Sequence, residues 1–420
     1  MNVSEDNYKM FKTSKIIVPS RKKSGEKNKI NFASCTHDGN NRYQEDRFFA
    51  GEIIVNGQRL HVFAIFDGHG GNATSQMCRD NLETVIHLPN GYRIQALDKI
   101  AVENKLLGGS TATIIVLYPD GKIEAERVGD SQAFMFPLKK YNKNTKKWEK
   151  VNKDGESKEL VLGDHSPTCI DEFNRLTKDY PNAGWRIEYV HPRNIMFPRS
   201  PFVKINNEWQ INKEGGYVKK SVTGDIAAYI FNQNGVGLGT TRTIGDLHMR
   251  DCGVISEPDK ETLQLKTNTY SVLVIASDGM WDIYTRAEVY AIVNRPDLVG
   301  NAEMASEILL NSAMKRGQEL YKDNVIDNIT VIVVYISLQQ NNSFDENSSM
   351  EVGSDEVGSD EVGSDEVSSD EVDSDEDDSD EDDSDEVDSD EVSSDEVGSN
   401  EVGSNEVSSD EVSSDEVRSN

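Results

Sequence analysis

Residues 60–66, Leu-His-Val-Phe-Ala-Ile-Phe, form a short apolar run that reads as a buried strand, and it stops on Asp67 ahead of Gly68-His69-Gly70-Gly71. Beyond the glycines, Met77, Leu82, Val85 and Ile86 recur at helical spacing, which predicts a helix over 72–88. Residues 110–118 are again apolar, 119–122 (Pro-Asp-Gly-Lys) is a turn signal, and 123–128 alternates, so a hairpin is expected there. A strand over 132–136 follows Gly129-Asp130-Ser131. Residues 270–276 form another, ending at Ser277-Asp278-Gly279, and 328–337 begins just after Asp327. Helical patterns occupy 286–293 and 302–320. Strands in antiparallel runs, separated by helices rather than alternating with them, predict an α+β fold of packed sheets with helices outside. The stretch 139–235 is polar and holds Pro181, Pro192, Pro198 and Pro201, and it is expected to contain a long surface loop.

Composition changes this picture at the two ends. From Glu351 to Asn420 the chain is a run of pentapeptides of the type Glu-Val-Gly-Ser-Asp, carrying 31 acids against one Arg. The whole-chain charge of −31 therefore belongs almost entirely to this appendage, and residues 1–350 are close to neutral. At most one Val per repeat, at a period of five that matches neither strand nor helix, cannot offset the entropy of ordering, so 341–420 is expected to be a disordered acidic tail. Residues 1–29 hold eight Lys and Arg and no apolar run, and read as a basic, flexible leader before a domain over 30–340. Neither a signal peptide nor a membrane span is visible, which favours an intracellular, cytoplasmic protein, with the nucleus as the alternative and secretion excluded. Cysteines 35, 78, 169 and 252 show no Cys-x-x-Cys spacing, so reduced thiols are expected rather than disulfides or zinc.

The chemistry lies where the strands end. Asp67, Asp130, Asp278 and Asp327 each stand at the junction of a strand and a loop, with Glu45, Asp46 and Asp282 close to others in sequence. One Asp-Gly alone is a turn signal. Several carboxylates at the mouths of hydrophobic strands need compensating cations if they converge, and an oxygen-only donor set selects Mg²⁺ or Mn²⁺ over zinc.

These segments resemble the type 2C serine/threonine protein phosphatases of the metal-dependent PPM group. The matching stretches, in order, begin with Glu45-Asp46, Asp67-Gly68-His69-Gly70-Gly71, Gly109-Ser110-Thr111-Ala112 and Val128-Gly129-Asp130-Ser131. They continue with Asp164-His165-Ser166-Pro167, Thr241-Arg242-Thr243-Ile244-Gly245-Asp246, Glu257-Pro258, Ser277-Asp278-Gly279-Met280-Trp281-Asp282 and Asp327-Asn328-Ile329-Thr330. The resemblance implies a two-sheet antiparallel β-sandwich flanked by helices, a four-layer αββα arrangement. It also implies hydrolysis of phosphoserine and phosphothreonine on proteins at a binuclear Mg²⁺/Mn²⁺ centre. Carried over by motif, Asp67 bridges the two ions, Gly68 binds one through its carbonyl, Asp278 and Asp327 ligate the other, and Glu45 and Asp46 act mainly through waters. Asp130 and Asp282, with Asp278, hold a weaker third ion. His69 becomes the general acid for the leaving oxygen.

Departures from the family pattern are informative. The usual phosphate-binding Arg is replaced by Asn41, and Arg42 next to it is the candidate substitute. The span 67–110 is short, which suggests trimmed helices, and 139–235 is enlarged near the expected cleft, with a lysine-rich stretch over 139–150 read as solvated surface, attraction of acidic phosphopeptides being the alternative. Expected partners are phosphoproteins at the site and basic proteins on the tail; no membrane or nucleic-acid partner is expected, and the chain is read as a monomer. Two other readings stand beside this one. Cys169 and Arg175 have the Cys-x₅-Arg spacing of a thiolate phosphatase, but the intervening residues carry two carboxylates and no glycine. The second is a phosphatase-like scaffold, weak or inactive in catalysis, that holds basic partners through its tail.

Overall fold

The computed structural model describes residues 29–338, apart from 143–146, 151–157, 161–163, 191–199, 213–217, 219, 223–225 and 322–325. The acidic tail, the leader before Lys29 and the side chains of the lysine-rich stretch lie outside the described residues. The principal strands are β1 (Lys29–His37), β2 (Arg47–Val55), β3 (Gln58–Phe66), β4 (Ala112–Leu117), β5 (Lys122–Val128), β6 (Gln132–Asn142), β7 (Asp259–Gln264), β8 (Thr269–Ala276) and β9 (Ile329–Leu338). The principal helices are α1 (Ala73–Val85), α2 (Arg93–Glu103), α3 (Ile170–Asp179), α4 (Arg286–Val293) and α5 (Ala302–Tyr321).

Two antiparallel sheets stack face to face. One runs β1-β9-β8-β6 and the other β7-β5-β4-β3-β2. Residue parity explains why their central strands read as unbroken apolar runs. In β8, Leu273 and Ile275 point between the sheets, whereas Val272, Val274 and Ala276 meet α4 and α5. In β3, Phe63 and Ile65 face the other sheet while Val62, Ala64 and Phe66 meet α1 and α2. A strand covered on both faces has no polar side to display, so alternation vanishes from its sequence. Each Leu, Ile or Phe so withdrawn from water contributes about 1.5–3 kcal/mol. The result is the expected αββα arrangement of four layers. Helix α4 starts with a reciprocal cap: the Thr285 side chain accepts from the Glu288 N–H, and the Glu288 carboxylate accepts from the Thr285 N–H. Among the described residues no helix is long and apolar enough to cross a membrane.

The structure corrects the expected elements at several points. Strands β1, β2 and β7 and helix α2 carry weak patterns and are absent from the sequence reading. The short span after Asp67 holds two helices, of 13 and 11 residues. Helix α2 opens on Arg93, a charged residue that is nevertheless buried, because its guanidinium meets Glu124 and Glu126 of β5. The stretch 139–235, expected to contain a long surface loop, also holds regular structure among its described residues. It contains α3, short strands at Arg186–Tyr189, Phe202–Ile205, Glu208–Ile211 and Ala228–Phe231, and a core of its own. That core is built from Phe173, Leu176, Ile187, Phe202 and Ile230 against Met249 and Val254. Ile170, Phe173 and Leu176 recur at helical spacing in α3, but the other apolar residues come from separate short strands and meet them only in three dimensions.

Strand register brings the acidic strand ends to one edge of the sandwich. Ala276 at the end of β8 pairs with Val331 near the start of β9 and with Gln132 at the start of β6. Asp278, Asp327 and Asp130 therefore emerge side by side. In the second sheet Ala112 pairs with Val128, and the Thr111 N–H donates to the Asp67 carbonyl at 2.8 Å, which sets the end of β3 beside the β5–β6 turn.

Candidate metal centre and acid–base pair

Asp67 stands at the centre of the cluster. Burial, and then repulsion from Asp46, Asp278, Asp327 and Asp130, raises its carboxyl well above the ordinary range. Burial likewise lifts Asp46 to about 7, Asp327 to about 6 and Asp282 to about 9, with neighbouring carboxylates adding to each. Six of the sequence-predicted aspartates thus act on one another electrostatically. Asp278 is the exception: burial pushes it up, but the Lys220 ammonium outweighs that and the net direction is downward.

Loop residues around the cluster are held by side-chain bonds that few sequence signals announce. Asn328 accepts from the Glu45 N–H at 2.7 Å and donates to the carbonyls of Asp38 and Tyr43, fixing the segment that carries Glu45 and Asp46. Glu45 accepts from the Gly71 N–H at 2.5 Å. Asp46 is buried and accepts from Thr330 Oγ1 at 2.7 Å. Gly68 has no room for a side chain, since a Cβ would lie 2.6 Å from the Glu45 carbonyl oxygen and 2.7 Å from Ser75 Oγ. Only glycine lets the backbone pass there.

Whether these residues suit divalent cations can be judged from their oxygens. Among the described residues no three His, Cys, Asp or Glu side chains converge as a ready-made cage. Thr330 engages one oxygen of Asp46, and Lys220 lies between Asp130 and Asp278. Yet Asp46 Oδ1 and Asp278 Oδ1 are buried with no hydrogen-bond partner. Two orphaned carboxylate oxygens in an all-oxygen set fit hard cations such as Mg²⁺ or Mn²⁺.

His69 is brought next to Asp246, a contact the sequence reading did not foresee. Gly68 and His69 pair with Ser110 and Gly109, which pair in turn with Ile244 and Gly245. This three-stranded clasp sets His69 Nε2 2.6 Å from Asp246 Oδ2. Asp246 sits in the left-handed region (φ 47°) and its side chain is almost fully buried. Burial alone would lower the His69 pKa, but the hydrogen bond and charge of Asp246 outweigh it and the net direction is upward. The Gly-Asp of 245–246 in the sequence was the available signal, although nothing in it said which side chain the carboxylate meets.

Arg42 is not brought to the carboxylates: it is exposed, with its guanidinium over the Tyr43 ring, 5.3 Å from the centroid. Asn41 instead donates to Asp327 Oδ1 at 3.2 Å. Cys169 and Arg175 form no thiolate site. Residues 170–179 are helix α3, the Cys169 thiol is raised by burial, and Arg175 is engaged by Glu172 and by the Gly253 carbonyl. A cleft of about 660 Å³ adjoins the cluster, lined among others by Asp130, Lys220, Asp278, Asp282 and Arg286.

Comparison with known proteins bears on this arrangement. A family model described as Protein phosphatase 2C matches residues 30–191 and 206–321. The chain is 27% identical over 333 residues to a protein kinase and PP2C-like domain-containing protein of Arabidopsis thaliana, covering 73% of this chain and 38% of that protein. It is 23% identical over 309 residues to the probable protein phosphatase 2C 30 of the same plant, covering 70% and 63%. To the mitochondrial protein phosphatase 1K of Xenopus laevis it is 25% identical over 317 residues, covering 71% and 66%. The match thus spans less than two thirds of each of these three relatives. The solved serine-threonine phosphatase 2C from Toxoplasma gondii shares the fold, with a TM-score of 0.55 at 18% identity, over 78% of this chain and all of that one. With about two thirds of its length matched by the family model, the chain belongs to the protein phosphatase 2C family.

Proposed function

We propose that this chain hydrolyses phosphoserine and phosphothreonine esters on proteins, using two Mg²⁺ or Mn²⁺ ions at the strand-end carboxylates. Asp67, the Gly68 carbonyl, Asp278 and Asp327 would hold the ions, with Glu45 and Asp46 acting through waters. When bound, such a pair supplies a water of lowered pKa as nucleophile and compensates the charge of the phosphate. The chain's own part is placement and proton transfer. The β-sandwich holds the carboxylates at one edge against their mutual repulsion. His69, oriented by Asp246, whose charge favours the protonated form, would give its proton to the departing serine or threonine oxygen, a role usually worth about 10²–10⁴ in rate. The contact between His69 and Asp246 beside the clustered aspartates carries this reading, because a general acid needs a partner that orients it and favours its protonated form. With Asn41 bonded to Asp327, the phosphate is held without the family arginine.

The test compares two substrates. His69→Ala should depress kcat strongly on a phosphothreonine peptide and far less on an aryl phosphate whose leaving group needs no proton. Asp67→Asn, which neutralises the central carboxylate at nearly constant size, should abolish Mn²⁺-dependent turnover of both while the fold persists. Equal losses for His69→Ala on the two substrates refute the general-acid role. Full activity of Asp67→Asn, or of the wild type in EDTA, refutes the metal reading.

A further inference from the structure

Lys220 is the residue that the resemblance does not account for. It comes from the enlarged insertion, and its ammonium reaches Asp130 Oδ2 at 2.7 Å and Asp278 Oδ2 at 2.8 Å. Asp282, the third carboxylate of that group, also acts on it electrostatically. Its position is built rather than incidental. Two residues on, the Val222 N–H donates to the carbonyl of Asp282 itself at 3.0 Å, and Tyr321 OH donates to the Lys220 carbonyl at 3.4 Å. The turn that carries Asp282, directly after the short helix Asp278–Trp281, and the insertion are therefore joined at the same place where the Lys220 side chain enters the cluster. Asp130 and Asp278 are only 18% and 16% exposed, so a free ion and this ammonium compete for the same oxygens.

Building on the two-ion reading above, we propose that the Lys220 ammonium is a tethered cation that takes the place of the third divalent ion at Asp130, Asp278 and Asp282. A lysine brings one positive charge and up to three N–H donors, against two charges and a full shell of oxygen ligands for a divalent ion. At this corner it cancels less charge, but it does so without drawing on the free-ion pool, because the insertion delivers it at a fixed local concentration. The corner is then filled at any Mg²⁺ level, and only the two ions at Asp67, Asp278 and Asp327 respond to metal supply.

Anomalous scattering at the manganese edge tests this site by site, which matters because the acidic tail would bind Mn²⁺ indiscriminately in a solution count. Crystals of the full chain grown in millimolar Mn²⁺ should show two peaks in the carboxylate cluster, with Lys220 between Asp130 and Asp278. Lys220→Gln should add a third peak among Asp130, Asp278 and Asp282, and Lys220→Arg, which keeps the charge, should remain at two. A third peak there in the wild type, its absence in Lys220→Gln, or its presence in Lys220→Arg overturns the proposal. Absence of any peak at Asp67 in the wild type is a different failure, since it removes the two-ion reading on which the proposal rests.

Discussion

Glu172 ties the insertion to the segment that carries Thr241 and Arg242, and its removal has a calculable consequence. One carboxylate oxygen accepts both Arg242 Nε and Nη2, at 3.0 and 2.5 Å. The other accepts Arg175 Nε and Nη2, at 3.1 and 2.7 Å, and Thr241 Oγ1 at 2.8 Å. Burial alone would raise this carboxyl, but the two guanidinium groups outweigh it and bring it from 4.5 to about 2. Each unit of such a shift is about 1.4 kcal/mol, so ionised Glu172 stabilises the native state by about 3 kcal/mol at neutral pH. Its side chain is 3% exposed, so solvent screens this little. Because the folded pKa is depressed, the contribution is complete above the unfolded pKa and is lost as pH falls through about 2. Glu172→Gln should therefore cost about 3 kcal/mol at pH 7, or on the order of 5 °C in Tm for a domain of this size, and roughly 2 kcal/mol near pH 3.5. Urea unfolding of both proteins at the two pH values measures it. A difference below about 1 kcal/mol at pH 7, or one that does not shrink with acid, refutes the assignment. The effect should also reach the site. Thr241 donates to the His165 carbonyl, and His165 Nδ1 accepts from the N–H of Gly129, the residue before Asp130.

Three further outcomes are expected. Gly109→Ala should lower kcat on phosphopeptides by about 10²-fold or more with a smaller loss on aryl phosphates, because a Cβ there would collide with both Asp246 Oδ2 and His69 Nε2; equal losses on both substrates would show that the clasp does not serve the proton. Asn41→Arg should lower KM for phosphopeptides by roughly tenfold, the worth of one charged hydrogen bond, and an unchanged KM would mean that phosphate is already bound by another cation. Truncation after Ser349 should leave both the Tm and phosphopeptide turnover unchanged, while binding to basic proteins at low salt disappears; a lowered Tm would place the end of the domain further along the chain.

The sequence by itself determined the elements whose physics is local. Apolar runs such as 270–276 and 328–337 can only be buried strands, Asp-Gly signals mark where they stop, and at most one valine per acidic pentapeptide cannot build a core. The strand-end aspartates were legible for the same reason: a carboxylate that ends a hydrophobic run must lie at the mouth of the sheet. What only tertiary structure decided depends on contacts between residues far apart in the chain. The pairing of His69 with Asp246 spans 177 positions and exists because Gly109 and Ser110 bridge the two segments. Apart from the apolar face of α3, the insertion gathers its core from residues of separate short strands that meet only in the fold. Lys220 looks like one more surface lysine until the fold carries it, across 90 positions to Asp130 and 58 to Asp278, into a cluster whose negative charge selects it. Local sequence sets which conformation a segment prefers, whereas the position of a long, flexible side chain is chosen by the field it finally enters, and that field is made by residues the local pattern does not contain.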